Sequence, residues 1–235
     1  MTTNIATDTY NKYCDNVIIA VYPAMAGGKF LLNCLGLSNN CYLQDNKLIS
    51  DQIDKKLSPE DKFTLLLERL DNTTLWNDFG MKDIELFNYP HDPLLRFSSV
   101  VSQISYEKKY FFLVAHDYSK YVRLKQLWPN ARVIYFNHTT EFINWRLGLD
   151  QTVDRTHYLS LSQDFPVNYQ NLFDLDDSTI FWNANWYLDE VKFLEEIKKI
   201  YNILLLDDFN LEFIKLFRSK YLDTLLRIQK PKIRS

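Results

Sequence analysis

What this chain can fold into is constrained most by residues 16–37, NVIIAVYPAMAGGKFLLNCLGL. Val17-Ile18-Ile19-Ala20-Val21-Tyr22 is a short, β-branched apolar run, the pattern of a strand buried on both faces. Pro23 and the small residues Ala24 and Ala26 lead into Gly27-Gly28, a turn signal. Lys29 then opens a second apolar run, Phe30-Leu31-Leu32-Asn33-Cys34-Leu35, that suits the first turns of a buried helix. Strand, glycine turn, lysine and helix in that order cradle a phosphate: backbone N–H groups and the helix start point at the anion, and the lysine adds a full charge. Against the pattern G-x-x-x-x-G-K-[ST], Gly28-Lys29 fit, Pro23 replaces the first glycine, and Phe30 replaces the hydroxyl that would hold Mg²⁺. The stretch therefore nominates Pro23, Ala26, Gly27, Gly28, Lys29 and Phe30 as ligand contacts, with no metal, and argues against a Mg-dependent ATPase. The competing reading is a turn that merely joins a strand to a helix. A chain with five glycines that sets two of them beside a lysine favours the site.

A second stretch, residues 109–148, repeats the alternation. Tyr110-Phe111-Phe112-Leu113-Val114-Ala115 has strand length and ends at His116-Asp117. Residues 118–128 read as a short helix broken by Trp128-Pro129-Asn130, and residues 131–136 as a third buried strand, followed by Asn137-His138-Thr139-Thr140-Glu141 and a further helix. Strands alternating with helices call for a parallel sheet with helices on both faces. Ligands of such sheets sit outside the carboxyl ends of the strands. The Gly-Gly-Lys turn, His116 and Asn137-His138 all fall at strand ends of that kind, so they converge on one rim.

Along the rest of the chain, residues 1–15 form a loose lead-in, and residues 41–57 and 71–98 show no clear pattern. Ser58-Pro59-Glu60-Asp61 starts a helix, with Ser58 as N-cap, Pro59 in the first position and Asp61 closing a reciprocal capping box. Phe63, Leu66, Leu67 and Leu70 are its apolar stripe. Residues 149–182 read as an insertion over the rim, either an acceptor-binding loop or a plain connection. Residues 187–201 form an amphipathic helix with Leu188, Val191, Leu194, Ile197 and Tyr201 on one face. Residues 203–206 are expected to be the final buried strand. Asn210 then caps a last helix facing the core through Ile214, Phe217, Tyr221 and Leu225, and residues 227–235 are a solvated basic tail. His91-Asp92 reads as a surface pair, and His138-Thr139-Thr140-Glu141 lacks the third ligand a metal site needs.

Length and charge bound the function. A chain of 235 residues with 46% apolar residues is expected to form one large α/β domain. A net charge of −3 gives no electrostatic case for nucleic acid. No window reaches the ~18 apolar residues of a membrane span, and the N-terminus has no apolar signal core. Cys14, Cys34 and Cys41 are odd in number and form no C-x-x-C pair, which fits reduced thiols in a cytoplasm.

The chain resembles the sulfotransferase family, and more closely the small sulfotransferase-like proteins of marine bacteria and their viruses. The residues that carry the likeness are Tyr22-Pro23 before the glycine turn, Phe111 to His116 ending in histidine, Trp128 to Phe136, Phe193 to Tyr201, and Asp207-Asp208-Phe209-Asn210 leading to the last helix. The resemblance spans roughly residues 16–226. It implies a three-layer, P-loop-like α/β fold with a mostly parallel central sheet. It also implies transfer of a sulfuryl group from 3′-phosphoadenosine 5′-phosphosulfate to the hydroxyl or amine of a small molecule or glycan. By the same resemblance Lys29 stabilises the leaving oxygen and His116 deprotonates the acceptor. The family's third strand usually ends in an arginine, with a serine in the following helix, and the two hold the 3′-phosphate. Here Asn137 stands in the first position and Trp145-Arg146 near the second, so Asn137 and Arg146 are the candidates for that phosphate. The family's usual Thr-Thr pair is replaced by Gly27-Gly28. Two function classes stay open: an enzyme of this kind, in a cytoplasm or a virion, and a non-catalytic binding or assembly module on the same fold.

Overall fold

The computed structural model describes residues 17–22, 26–41, 57–72, 110–116, 118–137 and 179–229. Strands β1 (Val17–Val21), β2 (Phe111–Ala115), β3 (Arg132–Asn137) and β4 (Ile180–Asn183) form one four-stranded sheet in the order β2-β1-β3-β4. Every pairing is parallel: Ile18 lies opposite Phe112 and Arg132, Val21 opposite Ala115 and Tyr135, and Asn137 opposite Asn183. Among the described residues five α-helices accompany the sheet: α1 (Gly28–Gly36), α2 (Pro59–Asn72), α3 (Tyr118–Leu127), α4 (Glu190–Ile203) and α5 (Leu211–Gln229). A 3₁₀ turn, Ala184–Leu188, joins β4 to α4. Among the described residues no helix is long and apolar enough to cross a membrane.

Period-two alternation assigns the core. Ile18, Ala20, Tyr22, Phe112, Ile134, Phe136, Ile180 and Trp182 share one face of the sheet and belong to a single buried cluster with residues of α1, α2, α4 and α5. At the centre of that cluster Phe30 stacks on Tyr221, with ring centroids 4.1 Å apart, and packs against Phe217 at 5.1 Å. Each such side chain contributes on the order of 1.5–3 kcal/mol by leaving water. Helix α3 packs on β2 and β1 and buries Tyr121 and Leu124.

The helix signals before α2 and α5 act as expected. The Asp61 N–H donates to Ser58 Oγ at 3.1 Å, and the Ser58 N–H donates to Asp61 Oδ2 at 3.1 Å, closing the capping box. Asn210 Oδ1 accepts from the Phe213 N–H at 3.1 Å, and Ile214, Phe217, Tyr221 and Leu225 are all buried. Helix α2 also supplies a buried cation. Lys62 is 2% exposed, and its Nζ donates to the carbonyls of Gly36 at 2.9 Å, Ser38 at 2.5 Å and Cys41 at 2.8 Å. An ammonium on the Gly36 carbonyl meets the negative end of α1, and it also satisfies the Ser38 and Cys41 carbonyls of the segment that follows.

Two expectations are corrected. Residues 203–206 are not a strand: Ile203 ends α4, and the chain turns at Leu204 and Leu205. The Leu205 N–H donates to the Asn202 carbonyl at 3.2 Å and the Leu206 N–H to the Tyr201 carbonyl at 2.9 Å, with Leu205 left-handed at φ 52°. That pair of bonds is a Schellman closure. The fourth strand is β4 instead, inside the segment read as an insertion. The apolar face of α4 is also rotated from the expected one. Leu188 and Val191 are exposed, and Phe193, Ile197, Ile200 and Tyr201 are buried. The helix begins after Asp189, whose side chain caps it through the Lys192 N–H at 3.0 Å, so Leu188 belongs to the preceding 3₁₀ turn.

Candidate functional site

The chain leaves β1 for β2 on one side and then crosses back over β1 to β3, so the strand order reverses direction at β1. A reversal of that kind opens a crevice at the carboxyl end of the strand, where ligands of parallel sheets bind. The Gly-Gly-Lys turn lies beyond the carboxyl end of β1 and His116 beyond that of β2, and Asn137 is the last residue of β3.

At the turn, Gly27 is left-handed at φ 76° and ψ 15°, and Gly28 is already helical. A left-handed residue followed by a helical one turns successive N–H groups to the same side, a shape that accepts an anion. The Gly27 carbonyl points the other way. It accepts from the N–H groups of Phe30 at 3.0 Å and Leu31 at 3.3 Å, and from the Tyr187 hydroxyl at 2.8 Å. Both glycines lie against aromatic rings. A β-carbon on Gly27 would stand 2.6 Å from the Tyr187 ring, and one on Gly28 would stand 2.3 Å from the Tyr22 ring. Lys29 is partly buried, whereas Ala26 and Phe30 are fully in the core. The Phe30 ring serves the aromatic stack and its N–H serves Gly27, so what Phe30 contributes at this end is packing.

His116 stands beside the turn through a shared neighbour. Its Nδ1 lies 3.0 Å from the Tyr22 carbonyl, and its ring meets the Tyr22 ring edge-on at 4.9 Å. A carbonyl only accepts, so Nδ1 carries the proton and Nε2 of the neutral imidazole holds the lone pair. Tyr22 thus touches both Gly28 and His116 and brings the two predicted groups to one corner of the rim. Asn137 is exposed, and strand alternation sends its side chain off the face of Tyr135, opposite to Tyr22 and Phe136. Pro23 and Arg146 lie outside the described residues.

Sequence reasoning missed the groups that hold the turn in place. Tyr187 is 2% exposed, and burial, reinforced by Tyr221 and Cys34, raises its pKa well above the ordinary phenol value, against a smaller opposing effect of Trp182. It is therefore a neutral hydroxyl donor. Arg218 of α5 donates from Nε at 3.1 Å and from Nη2 at 2.8 Å to the Tyr187 carbonyl, and from Nη1 at 3.2 Å to Glu190 Oε2. Burial lowers the Arg218 pKa and Glu190 opposes that shift, but a guanidinium stays charged at any working pH. The available signal was an arginine set between the apolar residues Phe217 and Tyr221 of a core-facing helix, since buried arginines are rare and paired.

Among the described residues no group of three His, Cys, Asp or Glu side chains stands close enough to hold a metal ion. The arrangement offers backbone donors, one lysine and one oriented imidazole, the parts needed to hold an anionic group and take a proton beside it. Comparison with models of known protein families, with curated proteins and with solved structures finds no match to this chain.

Proposed function

We propose that the chain is a nucleotide-dependent sulfuryl transferase of three-layer, P-loop-like architecture. The observation that carries the reading is the shared corner at Tyr22, which touches both Gly28, at the start of α1 after the left-handed Gly27, and an imidazole whose Nδ1 faces the Tyr22 carbonyl. The strand order supports the architecture. Right-handed crossovers that run in opposite directions along the sheet, β1 to β2 and then β2 to β3, put their helices on opposite faces of it.

In this reading the N–H groups of the turn and Lys29 hold the 5′-phosphosulfate of 3′-phosphoadenosine 5′-phosphosulfate. The acceptor oxygen or nitrogen attacks sulfur and gives its proton to His116 Nε2. The bond from sulfur to the bridging oxygen breaks, and adenosine 3′,5′-bisphosphate leaves with the electron pair beside Lys29. The acceptor is a small molecule or a glycan. Lys29 and the backbone donors neutralise the phosphosulfate by themselves, so the reading includes no metal.

Calorimetry with adenosine 3′,5′-bisphosphate tests it. The wild type should bind the bisphosphate more tightly than ATP, and EDTA should change nothing. Lys29→Ala should weaken binding by ~1–3 kcal/mol, the value of a charge-assisted contact. His116→Ala should keep the affinity and lose sulfuryl transfer. Tighter binding of Mg-ATP would make the protein a phosphoryl-transfer enzyme instead.

The second reading, a non-catalytic module on the same fold, is favoured by a specific feature: the rings of Tyr187 and Tyr22 require glycine at 27 and 28, and the core requires Phe30, with no ligand at all. Binding of neither nucleotide decides for it.

A further inference from the structure

We propose that Tyr187 is a positioning residue for the glycine turn, locked in place by Arg218, and that its hydroxyl sets the direction of the N–H groups that open α1. The inference rests on the functional reading above only for the identity of the ligand.

Three observations carry it. First, the Tyr187 hydroxyl donates to the carbonyl of the left-handed Gly27, at 2.8 Å. That bond helps orient the peptide plane between Gly27 and Gly28, together with the Phe30 and Leu31 N–H groups on the same carbonyl, and the Gly28 N–H lies in that plane. Second, the phenol is held from behind. Its own carbonyl takes two guanidinium bonds from Arg218, whose third nitrogen is engaged by Glu190. That fork fixes Tyr187 more narrowly than a single bond does. Third, the ring lies on Gly27 so closely that a β-carbon there would be 2.6 Å away. The turn therefore cannot rotate toward Tyr187 without expelling it.

The fold contains its own control. Tyr201, also buried, donates its hydroxyl to the Cys34 carbonyl of the same helix at 2.8 Å. Tyr187 and Tyr201 make the same kind of bond to α1, one at its opening and the other near its end. A structural role alone makes the two equivalent, whereas a positioning role makes only Tyr187 matter at the turn.

Tyr187→Phe and Tyr201→Phe are the matched variants. Each keeps its ring, and in Tyr187→Phe the Gly27 carbonyl still has the N–H groups of Phe30 and Leu31 as donors, so folding is retained. Amide hydrogen exchange read by NMR is the first measurement. Tyr187→Phe should speed exchange at Gly28, Lys29 and Phe30 selectively, relative to the amides of β1, while Tyr201→Phe leaves those three unchanged relative to β1. Calorimetry with adenosine 3′,5′-bisphosphate is the second. Tyr187→Phe should weaken binding roughly five- to tenfold, the equivalent of one hydrogen bond, and Tyr201→Phe should not. Equal effects of the two variants at the turn, or none from Tyr187→Phe, would overturn the proposal. If the wild type binds no bisphosphate, the sulfuryl-transfer reading fails, and the exchange data still decide whether Tyr187 positions the turn.

Discussion

Glycine is required at two adjacent positions of the turn for different reasons, and substitution separates them. Gly28 has ordinary helical backbone, so an alanine there gains up to ~1 kcal/mol of helix propensity. It loses more by overlap, because the Tyr22 ring it would strike is wedged between Phe136 at 5.0 Å and His116 at 4.9 Å. Gly28→Ala should therefore destabilise the protein by about 1–3 kcal/mol, the cost of overpacking a close-packed site. Gly27→Ala should cost more, since left-handed backbone adds ~1–2 kcal/mol to its overlap with Tyr187. Urea denaturation of both variants measures this, and a Gly28→Ala protein as stable as the wild type would show that the ring moves aside freely. At this scale the sequence shows that Lys29 and His116 follow strands, because each comes after a recognisable apolar run. It was silent about Tyr187, which meets Gly27 across a separation of 160 residues. Local patterns carry no trace of a partner that far along the chain.

Among the elements, the end of α4 holds a testable strain. Leu205 is left-handed at φ 52° and 75% exposed, so it occupies the position helices usually give to glycine and buries little there. Leu205→Gly removes a backbone penalty of ~1–2 kcal/mol and restores some entropy to the unfolded chain, about 0.5–1 kcal/mol. A net gain of ~0.5–1 kcal/mol is expected, visible as a higher denaturation midpoint at unchanged slope; a lower midpoint would mean that the leucine side chain is holding the turn. The same segment shows where elements were and were not legible. Residues 17–22, 110–115 and 131–136 read as strands because each is a strand-length apolar run of β-branched or aromatic residues bounded by breakers. Ile203-Leu204-Leu205-Leu206 has the same look, but an unbroken apolar run cannot distinguish a strand from a helix end. Hydrogen bonds back to Tyr201 and Asn202 decide that case. Ile180-Phe181-Trp182-Asn183 carries a weaker strand signal, only three apolar residues after a polar stretch, although its aromatic-aromatic-Asn ending copies Tyr135-Phe136-Asn137 beside it.

For the molecule as a whole, α1 is tied down along its length. Its opening is held by Tyr187, its body by the rings of α5 and the Tyr201 hydroxyl, and its end by Lys62. The Lys62 contact has a consequence in chemical reactivity. Amine-reactive reagents attack a neutral, accessible amine, and Lys62 offers an ammonium that is buried and bonded to three carbonyls. Labelling at Lys62 must wait until α2 lifts off the end of α1, so its rate follows the population of opened molecules. Surface lysines such as Lys199, exposed on α4, react without any opening. In timed acylation read by peptide mass spectrometry, Lys62 should be acquired last and should accelerate with urea in step with loss of the fold, while Lys199 stays indifferent to urea. Labelling of Lys62 at the pace of Lys199 in native buffer would mean that the two helices part far more readily than their contact implies. The lysine thus serves as an internal clock for the unfolding of the sheet's helical cover.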